Sequence, residues 1–214
     1  MASEHVSTLP GPVATAAGGF RPLEPTTKGG PDYGRFIAAV RTLQDHARAA
    51  DAPDEVFTRA AEMIEAVNDL LAPYWADECS APSNRREDLP NRGNVLWVPM
   101  DVGPTADGRV AGTTRFARFH QGRNGAAHGG AVGLLFDTLL GMTVVTLTGS
   151  QTQRTAYLHI DYRRIALVER ELQVEAGIDR IEGRKIFVTG RLLDDGEVLA
   201  EARALFVRLR PGQP

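Results

Sequence analysis

The chain has 214 residues, 24 Lys and Arg against 27 Asp and Glu for a net charge of −3, 43% hydrophobic residues and a single cysteine. That length suits one domain with an appendage, and that balance excludes a wholly disordered chain, a collagen, a coiled coil and a protein drawn to nucleic acid by its charge. Lone Cys79 excludes a disulfide framework and a multi-thiolate zinc site, and fits a reducing, cytoplasmic setting.

Residues 1–32 carry five Pro and five Gly with no helical or strand period, which predicts a flexible arm. They lack the basic and apolar regions of a signal peptide. Phe36, Ile37, Val40, Leu43 and Ala47 then recur at helical spacing, as do Val56, Phe57, Ala60, Ile64, Val67 and Leu71. Pro53 suits the first turn of that second helix and Pro73 its end. The two predict a helical hairpin, packed on the main domain. With the polar, Pro- and Gly-broken stretch 76–94 it makes an N-terminal unit of residues 33–94.

The main domain is expected over 95–214. Leu96–Met100 and Arg109–Phe116 read as two strands joined through the turn-rich Thr105–Gly108. Residues 129–148 form a long apolar stretch whose one charge is Asp137. Its length would span a membrane, but a mid-span Asp costs about 2.5–3.5 kcal/mol there, so a buried helix of a soluble domain and no membrane span are predicted. Four strands with period-2 alternation follow, carrying Ala156 to Tyr162, Leu172 to Ile178, Ile186 to Leu192 and Val198 to Phe206. Tight links at Glu182-Gly183 and Asp194–Gly196 force antiparallel neighbours. One helix cannot cover both faces of a sheet. The sheet must curl around it and meet something else, expected to be a second subunit, on the other side.

A helix starting at His128-Gly129-Gly130 offers unpaired N–H groups and the positive end of its dipole, suited to the oxyanion of a tetrahedral intermediate. Asp137 is an acid on an apolar helix, where an unpartnered carboxylate is costly to bury. Gly130, Gly133 and Gly141 share its side and leave a smooth groove beside it. Thr155 opens the following strand, and its parity groups it with Tyr157, His159 and Asp161, away from the apolar positions. His5, His46, His120 and His159 show no metal spacing, and no metal or redox cofactor is expected.

The run Gly122-Arg123-Asn124-Gly125-Ala126-Ala127-His128-Gly129-Gly130-Ala131-Val132-Gly133-Leu134-Leu135-Phe136-Asp137, together with the order of elements, resembles the hotdog-fold acyl-CoA thioesterases, closest in look to the PaaI-like and thioesterase superfamily member group. The likeness covers roughly residues 95–209. It implies an α+β hotdog fold, a curved antiparallel sheet wrapped around one long central helix, here with an N-terminal helical extension. It implies hydrolysis of an acyl-CoA to free acid and CoA by a homodimer or dimer of dimers. Asp137, nine residues after His128, would be general base or nucleophile, with Gly129 as oxyanion donor and His128 in support. Thr155 would reach across the dimer to hold the attacking water. Gly130, Asn124, Arg163 and Arg164 would contact substrate. Relatives carry Asn six residues before the His, where Gly122 stands here, and Asn124 is two positions late. Family members commonly show Arg-Pro where CoA phosphates pass; Arg164 matches the Arg, and Ile165 replaces the Pro. Arg180, Arg184 and Lys185 make a second basic group at a hairpin turn. Two other classes stay open: a non-enzymatic acyl-CoA-binding module, and a hydratase or dehydratase of enoyl thioesters, whose Asp-x-Asn-Pro-x-His type of motif is absent.

Overall fold

The computed structural model describes residues 22–213. Most of the expected flexible arm, residues 1–21, lies outside the described residues. What is described of it is tied down. Thr26 donates its N–H to the Arg85 carbonyl, and Arg86 donates to the Lys28 and Gly30 carbonyls. Arg86 is buried against the Tyr33 ring and holds Asp88 through two bonds of 2.7 Å. The polar stretch around residue 86 is therefore an ordered knot built on one guanidinium.

Two helices follow, α1 (Tyr33–Ala49) and α2 (Asp54–Leu71). Helix α1 lies on the main domain. It buries Ile37, and Arg41 donates to the carbonyls of Asn94 and Trp97. Its Asp45 accepts from the Phe119 N–H, and Arg48 donates to the Gln121 and Gly122 carbonyls. Helix α2 buries none of its residues.

Six strands form one antiparallel sheet: β1 (Met100–Pro104), β2 (Val110–Arg115), β3 (Gln153–Tyr162), β4 (Glu171–Glu182), β5 (Lys185–Asp194) and β6 (Glu197–Arg208). Their spatial order is β1-β2-β4-β5-β6-β3. Strand β1 begins at Met100, where the sequence reading has its first strand end. The Trp97 carbonyl is taken by Arg41 and Asn91, and the Val98 carbonyl by Asn91, so side chains replace a strand partner there. The tight links set β4, β5 and β6 side by side as expected. The connection 163–170 carries the chain from β3 on one rim of the sheet to β4 in its middle.

Helix α3 (Gly129–Thr148) packs into the concave face. It is apolar enough to cross a membrane by composition. Its Val132, Leu135, Phe136, Leu139, Leu140 and Val144 are instead buried against Val174, Ala176, Val188, Leu192, Ala202 and Phe206 of the sheet. At Gly190 of β5 a Cβ would stand 2.9 Å from Leu140 Cδ2 and 3.1 Å from the Glu175 carbonyl oxygen. The glycine lets helix and sheet meet at that point.

Candidate active site

The start of α3 is fixed from three sides. Ala127 donates its N–H to the Ala166 carbonyl, and Val168 donates to the Gly125 carbonyl. The His128 N–H is taken by the His120 carbonyl at 2.8 Å. His120 is itself buried between Phe116 and Phe119, its Nδ1 accepting from the Ala117 N–H. Burial, reinforced by the charge of Arg41, lowers its pKa, and Asp45 opposes this. No motif marks His120, which lacks metal spacing, yet it anchors the site loop.

His128 is the N-cap of α3. Its Nδ1 accepts the Gly130 N–H at 2.9 Å. A Cβ on Gly130 would stand 3.0 Å from that Nδ1, so glycine suits this cap. Gly130 spends its N–H on His128. Gly129, by contrast, makes no N–H hydrogen bond among the described residues and is exposed. This leaves an N–H at the positive end of the helix free for a ligand oxygen.

A second residue, which the sequence reading marks only as part of a Tyr-x-Arg strand end, acts at this end. Tyr162, the last residue of β3, donates its hydroxyl to the Gly129 carbonyl at 2.8 Å. The bond ties Gly129 to the end of β3 through its carbonyl and leaves its N–H free.

Asp137 lies nine residues along α3. It is exposed, which corrects the expectation of a poorly solvated acid. The physical reason is the groove: Gly130, Gly133 and Gly141 set no helix side chains beside it. Ile160 of β3 borders the groove at Gly133, and Phe206 of β6 at Gly141.

Thr155 Oγ1 donates to Asp137 Oδ1 at 3.0 Å within one chain. This corrects two expectations. Thr155 was to reach a site in the other subunit, and strand parity was to turn it away from the helix. The register of β3 on β6 slips between Thr155 and Tyr157, with Thr155 opposite Phe206 and Tyr157 opposite Leu205. That bulge inserts one residue, Ala156, and returns Thr155 to the helix side.

The other expected contacts fall elsewhere. Asn124 occupies a left-handed turn (φ 53°), is exposed, and makes no side-chain hydrogen bond among the described residues. Arg164 pairs with Glu197 at 2.9 Å. Arg163 pairs with Glu201 at 3.1 Å and borders a shallow cavity of about 420 Å³ on the outer face of the sheet, with Arg109, Arg191 and Arg203. Arg180 pairs with Glu182 and stacks on Phe187, while Arg184 donates to the Arg208 carbonyl. One chain thus joins Asp137 to Thr155, and Gly129 to Tyr162, but does not join the two groups. No cluster of metal-binding side chains occurs among the described residues.

Residues 124–201 match the thioesterase superfamily. The crystal structure of a thioesterase superfamily protein superposes with a TM-score of 0.71 at 24% identity, covering 91% of this chain and 98% of that one. The architecture is therefore the hotdog fold, helical extension included. The acyl-coenzyme A thioesterase THEM4 of Rattus norvegicus is 34% identical over 96 residues, which are 44% of this chain and 40% of that protein. The Xenopus laevis THEM4 is 32% identical over 93 residues, 42% of this chain and 41% of that one. The chain thus aligns with about two fifths of the length of these curated thioesterases.

Proposed function

We propose that this protein hydrolyses acyl-CoA thioesters to a free acid and CoA, at sites that each draw on two chains. The observation that carries the reading is the hydrogen-bonded pair Asp137 and Thr155 in an open glycine groove, on the same helix as a free N–H at Gly129.

The two groups are too far apart to act together in one chain. Nine residues at 1.5 Å apiece separate them by roughly 13 Å. A second chain resolves this. Strand β3 is an edge strand, and an unpaired edge invites pairing. Two-fold antiparallel pairing of β3 strands about a point between Leu158 and His159 sets Thr155 near Tyr162 of the partner subunit. Tyr162 holds Gly129, so the partner's helix start comes to Asp137.

In such a site the thioester carbonyl oxygen accepts from the Gly129 N–H. Asp137 takes a proton from water as the water oxygen bonds to the carbonyl carbon. Thr155 holds the carboxylate in one orientation. The helix end then stabilises the tetrahedral oxyanion. The carbon–sulfur bond breaks, the sulfur leaves as a thiolate, and the acid retains the water oxygen. Arg164 and Arg163 supply cations for the CoA phosphates by exchanging their present carboxylate partners. The single thiol, Cys79, is compatible with a reducing, cytoplasmic setting.

The test is thiol release from a panel of acyl-CoAs by the wild-type chain and by Asp137→Asn. The proposal expects release by the wild type and a loss of about 10²–10⁴-fold in kcat in the folded variant, the range for a positioned base. Calorimetric binding without release would replace the enzyme with a binding module. Hydration of a crotonyl thioester would replace it with a hydratase.

A further inference from the structure

Helix α2 is at odds with its surroundings. Nine large apolar side chains between Val56 and Trp75 are each more than a third exposed, with Met63 at 63%, Leu70 at 69% and Tyr74 at 78%. At roughly half of about 150–200 Å² apiece, they amount to an apolar patch on the order of 700 Å². The largest patch on an ordinary monomer is roughly 300–600 Å², and each side of a stable interface buries about 800 Å². An 18-residue helix with no tertiary support is also marginal in water. Something covers this face.

Charge selects what does. Helix α2 carries five acids, Asp54, Glu55, Glu62, Glu65 and Asp69, against the single base Arg59. An anionic membrane surface repels it. Pairing with another α2 sets the same excess against itself. Helix α1 has the opposite sign, with Arg35, Arg41 and Arg48 against Asp45. It also has an uncovered apolar stripe. Ile37, Arg41, Asp45 and Arg48 face the main domain, which leaves Phe36, Val40 and Leu43 outward, at i, i+4 and i+7. Phe36 and Leu43 are 39% and 40% exposed. The chain's own α2 does not cover them, because α2 buries nothing. The linker leaves α1 extended at Ala50 (ψ 134°) and enters α2 extended at Pro53 (ψ 154°).

We propose that α2 docks on the outward face of α1 in a second copy of this chain, so that two protomers exchange these helices. Val56, Phe57, Ile64, Val67 and Leu71 meet Phe36, Val40 and Leu43 of the partner, on a helix whose net charge is opposite to that of α2. The proposal is independent of the activity proposed above. It concerns a surface outside the β3 edge and away from Asp137.

The test uses the full chain with the photo-reactive p-benzoylphenylalanine in place of Val67, prepared as a mixture of ¹⁴N and ¹⁵N protein exchanged to equilibrium. After illumination, digestion and mass spectrometry should give cross-links from α2 to peptides within residues 33–49. Mixed-isotope pairs should be about as frequent as same-isotope pairs, as random pairing of two chains requires. Same-isotope pairs alone would mean that α2 folds onto its own α1, and would overturn the proposal. So would cross-links to another surface, or none. The double substitution Ile64→Glu, Val67→Glu should accelerate amide hydrogen exchange across residues 54–71 by at least about tenfold while leaving α3 and β4–β6 unchanged. Unchanged exchange in α2 would also overturn it.

Discussion

Gly129→Pro removes one hydrogen-bond donor from the candidate site and nothing else. Gly129 is the first residue of α3, where proline is tolerated because its fixed φ suits the helix and its missing N–H has no intrahelical partner. The residue before a proline must be extended, and His128 already has φ −62° and ψ 137°. A Cβ at position 129 meets its nearest neighbour, Tyr162 Oη, at an ordinary 3.5 Å. The variant should therefore fold with little change in stability. If the Gly129 N–H stabilises the oxyanion, its loss should lower kcat by about 10²–10³-fold, or about 2.7–4 kcal/mol, the cost of deleting one such donor elsewhere. Gly129→Ala keeps the N–H and serves as the control. The assay is thiol release under saturating acyl-CoA, with circular dichroism on both variants. Equal turnover by folded Gly129→Pro and Gly129→Ala would refute the reasoning.

Thr155→Val keeps the shape of Thr155 and removes its bond to Asp137. It should lower kcat by about tenfold with KM little changed, as measured by steady-state thiol release. His120 is held below its ordinary pKa of 6.5, so the unfolded chain takes its proton first. Stability from this residue is present above about pH 6.5 and is lost as pH falls toward the folded-state value; urea melts between pH 7.5 and 5.5 should show that slope flattened in His120→Gln. Gly190→Val presses on Leu140 and the Glu175 carbonyl and should cost about 1–3 kcal/mol, a fall of several degrees in Tm by calorimetry.

Much of this molecule is legible in the amino-acid sequence where a repeating physical constraint acts over many residues. The span of α3 follows from its apolar run between His128 and Gly149, and β4, β5 and β6 follow from alternation and two tight turns. The Asp137 groove is visible as three glycines at helical spacing. What escapes is set by single events. The bulge at Ala156 inverts the parity of Thr155 and has no composition of its own. Tyr162 is legible as part of a Tyr-x-Arg strand end, but its bond to the Gly129 carbonyl is not, because it arises only when the strand lies beside the helix start. His120 and Arg86 act through backbone carbonyls distant in sequence, which no spacing rule anticipates. The exposure of Asp137 is not legible because an apolar run does not say which side of its helix the sheet leaves open.

The central claim is that each site takes its acid from one chain and its helix start from the other, and mixing two defective variants tests it directly. Asp137→Asn and Gly129→Pro are each expected to be nearly inactive alone. Combined in equal amounts and exchanged to equilibrium, half of the dimers carry one chain of each kind. In every such dimer the intact Asp137 faces the intact Gly129 of the other chain. Thiol release should therefore recover to about one quarter of the wild-type rate, because one of two sites is whole in half of the dimers. A mixture no more active than its separate components would contradict the account, since it would mean that both defects fall in the same site of a single chain.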